Sequence, residues 1–191
     1  NLFFTQDARL VLEKAGVVLF KDASANKGGV TSSSLEVLAA LSMHDDEFAQ
    51  HMAVVAGKPE PAFYQQYVAE VQTRIDHNAA QEFECLWKEH QRSKTPYAIL
   101  TNLLSERITD LSVAIQESSL YEQKTLRELI LDGGFPKTLT ALISRDELVQ
   151  RLPESYLRAL FASQLASRFV YASGLNTPEF AFYEFVHSLQ N

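Results

Sequence analysis

The sequence predicts a mainly α fold with one short helix–strand unit at its start. Three observations carry this. From Thr31 onward, apolar residues recur three and four positions apart, the period of an amphipathic helix. The segments that bear them are separated by Gly and Pro clusters at 57–61, 133–136, 152–153 and 174–178, where helices stop and restart. One run, Val17-Val18-Leu19-Phe20, is continuously apolar and partly β-branched directly after Gly16, which suits a short buried parallel strand.

Residues 5–16 read as the first helix. Thr5 is placed to cap it, Ala8, Leu10, Val11, Leu12 and Ala15 form an apolar face, and Gly16 stops it. The strand at 17–20 follows. One strand cannot make a sheet, so the rest of such a sheet is expected outside this chain. With Asn1 rather than Met at its start, the chain reads as part of a longer protein.

Helices then dominate. Leu35, Val37, Leu38, Leu41 and Met43 mark the second, and Asp45–Ala56 the third, its acidic start suiting the helix dipole. Phe63–Arg92 is a long helix with the stripe Tyr64, Tyr67, Val68, Val71, Ile75, Phe83, Leu86 and Trp87. After the turn at 93–96, Ile99, Leu103, Ile108, Leu111 and Ile115 line the returning arm of an antiparallel hairpin. Leu120–Leu131 is a helix expected to stop at Gly133-Gly134, and two short ones start at Pro136 and Ser144. Pro153–Ser173 is the last long helix, and the aromatic Pro178–Leu189 closes the chain against the core.

Composition narrows the function classes. The 191 residues are 46% hydrophobic with a mean hydropathy of −0.12, enough for a real core. The formal charge is −7 and the pI about 5.2, which argues against nucleic acid or an anionic membrane as partner. No apolar run reaches a membrane span. The single cysteine, Cys85, sits in the apolar Phe83-Glu84-Cys85-Leu86-Trp87 and reads as a small hydrophobe. The histidines His44, His51, His77, His90 and His187 lack metal-ligand spacing, so no metal is expected. No glycine-rich phosphate loop or nucleophile elbow is present.

The informative stretch is Lys21 to Glu36. It places Asn26, Gly28-Gly29 and the hydroxyls of Thr31, Ser32, Ser33 and Ser34 directly before a helical pattern. Adjacent glycines admit positive φ and close approach, and a capped helix start offers free N–H groups to an anion. On residues alone, Asn26 also serves as a turn residue. Ser33 likewise serves as an N-cap, with Glu36 completing a capping box. Lys21, Asp22 and Lys27 read as solvated loop charges.

Asn26-Lys27-Gly28-Gly29-Val30-Thr31-Ser32-Ser33 resembles the Asn-x-Gly-Gly-Val-x-x-Ser segment of the glutamate/leucine/phenylalanine/valine dehydrogenases. Asn1-Leu2-Phe3-Phe4-Thr5-Gln6 resembles the family's Gly-Ala-Asn segment from its Asn onward, in the variant of the large NAD-specific enzymes. The resemblance implies the last αβ unit of a Rossmann-like NAD-binding domain followed by a C-terminal helical region. Residues 1–30 would close that domain, 31–43 would be the helix returning to the substrate domain, and 44–191 a helical domain. It implies NAD as cofactor, with Asn1 and Asn26 near the nicotinamide and its ribose. It also implies L-glutamate and 2-oxoglutarate as substrate and product, with Val30 and Ser33 lining their pocket. The whole protein is expected to be a cytoplasmic homo-oligomer. The family's catalytic lysine and aspartate have no match here, so the chain alone is expected to be inactive. The alternative is that residues 43–191 form a regulatory or oligomerisation module without catalytic contact.

Overall fold

The computed structural model describes residues 3–190 and is helical throughout, with no strand among them. The helices are α1 (Gln6–Lys14), α2 (Asp22–Ala25), α3 (Lys27–Ser42), α4 (Asp45–His51), α5 (Ala62–Ser93) and α6 (Tyr97–Glu117). A 3₁₀ turn at Leu120–Glu122 leads to α7 (Lys124–Gly134), α8 (Lys137–Leu142), α9 (Arg145–Arg151), α10 (Glu154–Ser173) and α11 (Glu179–Gln190).

Local chemistry accounts for most boundaries. The Thr5 hydroxyl accepts from Ala8 N–H at 3.2 Å and caps α1. Ser144 does the same for α9 through Glu147 N–H at 3.3 Å. Prolines 61, 96, 136 and 153 stand as N-caps of α5, α6, α8 and α10, where a missing N–H costs no ladder bond. Gly16 and Gly174 stop α1 and α10 at φ +87° and +86°. Lys94 turns the α5–α6 hairpin in the left-handed region at φ 58°.

The core runs from Leu35 to Val186 as one cluster. It is centred where α10 lies against α6 and α7, with α5 packed on α6 and α8 and α3 on α5. Phe135, Phe161 and Phe169 are its largest fully buried side chains. The closing helix docks by Phe182 and Phe185, whose rings meet Phe169 at 5.2 and 5.4 Å. Phe180 and Tyr183 of the same run stay exposed.

Several expectations are corrected. Residues 17–20 form no strand. A parallel strand needs a neighbour for its amides and carbonyls, and no described residue is extended beside it. Phe20 instead packs its ring at a tilt against Tyr97 and Phe83, with centroids 4.6 and 5.1 Å away, leaving Val17 and Val18 exposed. α4 stops at His51, not Ala56. The helix expected from Leu120 starts at Lys124, after a 3₁₀ turn, and stops at Gly133-Gly134 as the sequence indicates. The stripes are rotated in part: Phe83, Trp87 and Leu103 are exposed, while Glu82, Glu89 and Thr101 are buried.

Candidate functional site

The motif residues meet on one face of α3. Asn26 is its N-cap, with φ −105°, ψ 61° and no capping bond from its side chain. Val30 and Ser33 follow at i+4 and i+7, so all three share a face at 3.6 residues per turn. The opposite face buries Leu35, Leu38, Ala39 and Ser42 against α5. Asn26, Val30 and Ser33 are therefore displayed outward, Val30 at 72% exposure, and Val37 extends the same stripe. Asn1 lies outside the described residues.

The start of this helix differs from expectation. α3 begins at Lys27, not Thr31. Gly28 and Gly29 are thus first-turn helical residues, and the positive-φ glycines are Gly16, Gly57 and Gly174 instead. A Cβ on Gly29 would meet Asn26 Nδ2 at an ordinary 3.6 Å, and one on Gly28 nothing nearer than 4.0 Å. The strained glycine turn is absent. Ser33 is no N-cap: seven positions into the helix, its hydroxyl donates to Gly29 O at 2.8 Å and Val30 O at 3.2 Å. The capping box with Glu36 does not form, because a helix started earlier leaves no open N–H at that turn.

The flanking charges are not solvated either. Lys21 donates to Asn102 Oδ1 on α6, and Asp22 pairs with the buried Arg9 of α1. Lys27 forms an ion pair with Glu82 of α5. Glu82 is 4% exposed, and its Oε2 also accepts from Tyr171 OH of α10 at 2.9 Å. Burial, and then the Glu82 charge, push the Tyr171 hydroxyl well above the ordinary tyrosine range. Ser24 Oγ and Thr101 Oγ1 lie 3.2 Å apart, adding a tie to α6. The motif is fastened to α1, α5, α6 and α10 by partners far away in sequence.

Glu82 and Tyr171 are the residues that sequence reasoning missed. One signal was present: Glu82 shares a helical stripe with Cys85, Leu86 and Glu89, and a carboxylate on a core-facing stripe needs a partner. Its partners, 55 residues before it and 89 after, leave no local trace.

The face can bind and shape. An amide both donates and accepts, which fits a ribose hydroxyl or a carboxamide. The first N–H groups of a sixteen-residue helix favour a negative group. Asn26, Val30, Ser33 and Val37 carry no group that ionises at neutral pH, so this face holds no general acid or base. Among the described residues, no three His, Cys, Asp or Glu side chains stand where they could hold a metal.

The glutamate/leucine/phenylalanine/valine dehydrogenase profile matches residues 1–93, from the chain start to the end of α5. Glutamate dehydrogenase 2 of Dictyostelium discoideum is 53% identical over 190 residues, which is 100% of this chain and 18% of that protein. The chain belongs to the glutamate/leucine/phenylalanine/valine dehydrogenase family. The NAD-specific glutamate dehydrogenase of Neurospora crassa is 50% identical over 97% of this chain and 18% of its own length. That of Saccharomyces cerevisiae is 43% identical over 100% and 18%. The chain thus spans under one fifth of the curated relatives it matches. No solved structure matches it. No described helix is long and apolar enough to cross a membrane.

Proposed function

We propose that this chain supplies one wall of the nucleotide and substrate cleft of an NAD-dependent glutamate dehydrogenase. The whole protein oxidises L-glutamate to 2-oxoglutarate and ammonium, with NAD taking the hydride. The observation that carries this is the grouping of Asn26, Val30 and Ser33 on one outward face of α3, in a chain whose relatives are NAD-specific glutamate dehydrogenases along its entire length.

In this reading residues 1–30 close a Rossmann-like domain. α3 is the helix returning to the substrate domain. Asn1 and Asn26 meet the nicotinamide end of NAD, Val30 packs against the substrate, and Ser33 turns its hydroxyl toward the substrate's side-chain carboxylate. Hydride transfer depends chiefly on holding the two carbons in line, and an outward helix face fixed on a helical core gives that rigidity. The helices from residue 44 onward brace the wall, and the cytoplasmic protein assembles with copies of itself.

The test is NADH formation from L-glutamate and NAD by the whole protein, which Asn26→Ala is expected to weaken through NAD. The 191-residue chain alone is expected to form no NADH, because it carries no proton-transfer group on this face. Turnover by the purified chain, or unchanged NAD kinetics in the Asn26 variant, overturns the reading.

A further inference from the structure

We propose that Glu82 and Tyr171 are positioning residues for the dehydrogenase reaction, acting on the nucleotide through Lys27. The inference rests on the placement of Asn26 beside NAD given above.

Lys27 stands between Asn26 and Gly28 and is the first residue of α3. Its backbone therefore moves with the Asn26 amide. A free lysine at a helix start would keep its rotamer freedom. This one is ordered by a carboxylate on the neighbouring helix, and the Glu82 side chain is 5% exposed. A buried carboxylate without partners is expensive, so Glu82 holds its two strongly. The Tyr171 hydroxyl donates to the same oxygen, Oε2, at 2.9 Å, so the oxygen that meets Lys27 is also tied to α10.

The three residues lie on α3, α5 and α10. Lys27 and Glu82 fall within the segment the family profile matches, and Tyr171 falls beyond it. The chain through Tyr171 thus gives the later helices a direct mechanical hold on the nucleotide-facing turn. It also fits the two glycines in the first turn of α3: the ion pair anchors that turn where the low helix propensity of Gly opposes it.

The experiment compares Lys27→Met, Glu82→Gln, Tyr171→Phe, the double variant Lys27→Met/Glu82→Gln and Lys27→Arg in the whole enzyme, with Asn26→Ala as reference. KM for NAD, KM for glutamate, kcat and melting temperature are read for each. Positioning predicts that the double variant, which leaves no orphaned charge, melts near the wild type while KM for NAD rises about five- to fifty-fold. Tyr171→Phe is expected to raise it less, and Lys27→Arg to restore it. Should Glu82→Gln fail to fold, the double variant and Tyr171→Phe decide. If Asn26→Ala weakens NAD while the double variant and Tyr171→Phe leave KM for NAD unchanged, the network only supports the fold and the positioning role is wrong. If Asn26→Ala has no effect on NAD either, the placement of the site fails first.

Discussion

At the scale of single residues, the site turns on what a hydroxyl and two missing side chains are free to do. Ser33 has one proton, now given to Gly29 O at 2.8 Å. To meet a substrate carboxylate it must give up that bond, which is weak in a helix that already satisfies the carbonyl. Ser33→Ala is therefore expected to leave stability within about 0.5 kcal/mol. It should cost about 1.5–3 kcal/mol in kcat/KM for glutamate, the worth of a bond to a charged group. A melting curve and a glutamate titration on the same variant check it, and a stability loss with intact kinetics counts against the pocket role. Gly28 and Gly29 make the complementary case. Both have room for a Cβ without a ligand, so Gly→Ala is expected to stabilise by roughly 0.4–1 kcal/mol. If NAD or glutamate packs against this turn, the same substitutions weaken binding, and stability and affinity move in opposite directions. The motif's identity was legible in the residues, but its outward face was not: Val37, which extends that face, reads as core in the sequence and is exposed. The glycine conformation was not legible either, because a Gly pair reads as a loop locally and the partners that pack α3 lie far along the chain.

At the scale of elements, the boundaries marked by a cap or a positive-φ glycine were legible: Thr5, Ser144 and Gly174 each end or begin a helix where the sequence places it. Elements that depend on a remote partner were not, the run at 17–20 above all. Another such device joins α5 to the α7–α8 turn. Burial raises the Glu70 carboxyl, but bonds from Thr138 N–H, Lys137 N–H and the Thr138 hydroxyl, each 2.8 Å, outweigh it and leave the group below its ordinary value. One turn on, Arg74 donates to Gly134 O at 3.0 Å and Phe135 O at 2.6 Å. The carboxylate thus caps the start of α8 and the guanidinium the end of α7, each with favourable dipole sign. Glu70→Ala is expected to cost about 1–2 kcal/mol and Arg74→Met about 1.5–3 kcal/mol. A double-mutant cycle by denaturant unfolding should show coupling above about 0.5 kcal/mol, and strict additivity would separate the two caps. Glu47 supplies a pH test. The Arg151 guanidinium, and then the His44 N–H, hold its carboxyl at about 2 against an ordinary 4.5. A depressed folded-state value means the stabilisation is present above about 4.5 and is lost as pH falls toward 2. Glu47→Gln should flatten the stability profile in that window, and unfolding midpoints at several acidic pH values measure it.

At the scale of the whole molecule, the question is whether the wall and the helices behind it are one body. α3 carries the site face and contributes Leu35, Leu38 and Ala39 to the same cluster that holds Phe169 and Val186. A continuous core with no gap between α3 and α10 should unfold as one unit. Cys85 reports on this without added probes. It is the only cysteine, it is buried on α5, and its Sγ approaches Val170 O of α10 at 3.8 Å. Burial, and then the Glu89 and Glu82 charges, push its thiol up to about 11, so at pH 8 roughly one molecule in a thousand would carry the reactive thiolate even if the thiol were reachable. Labelling therefore requires that α5 and α10 part. In the 191-residue chain, the labelling rate under increasing denaturant is expected to follow the loss of helical circular dichroism through a single transition, with the same free energy and the same slope. A thiol that reacts while most of the helical signal remains would mean that α3 and α5 separate from α10 on their own. The wall would then be hinged at the Glu82–Tyr171 contact instead of held there.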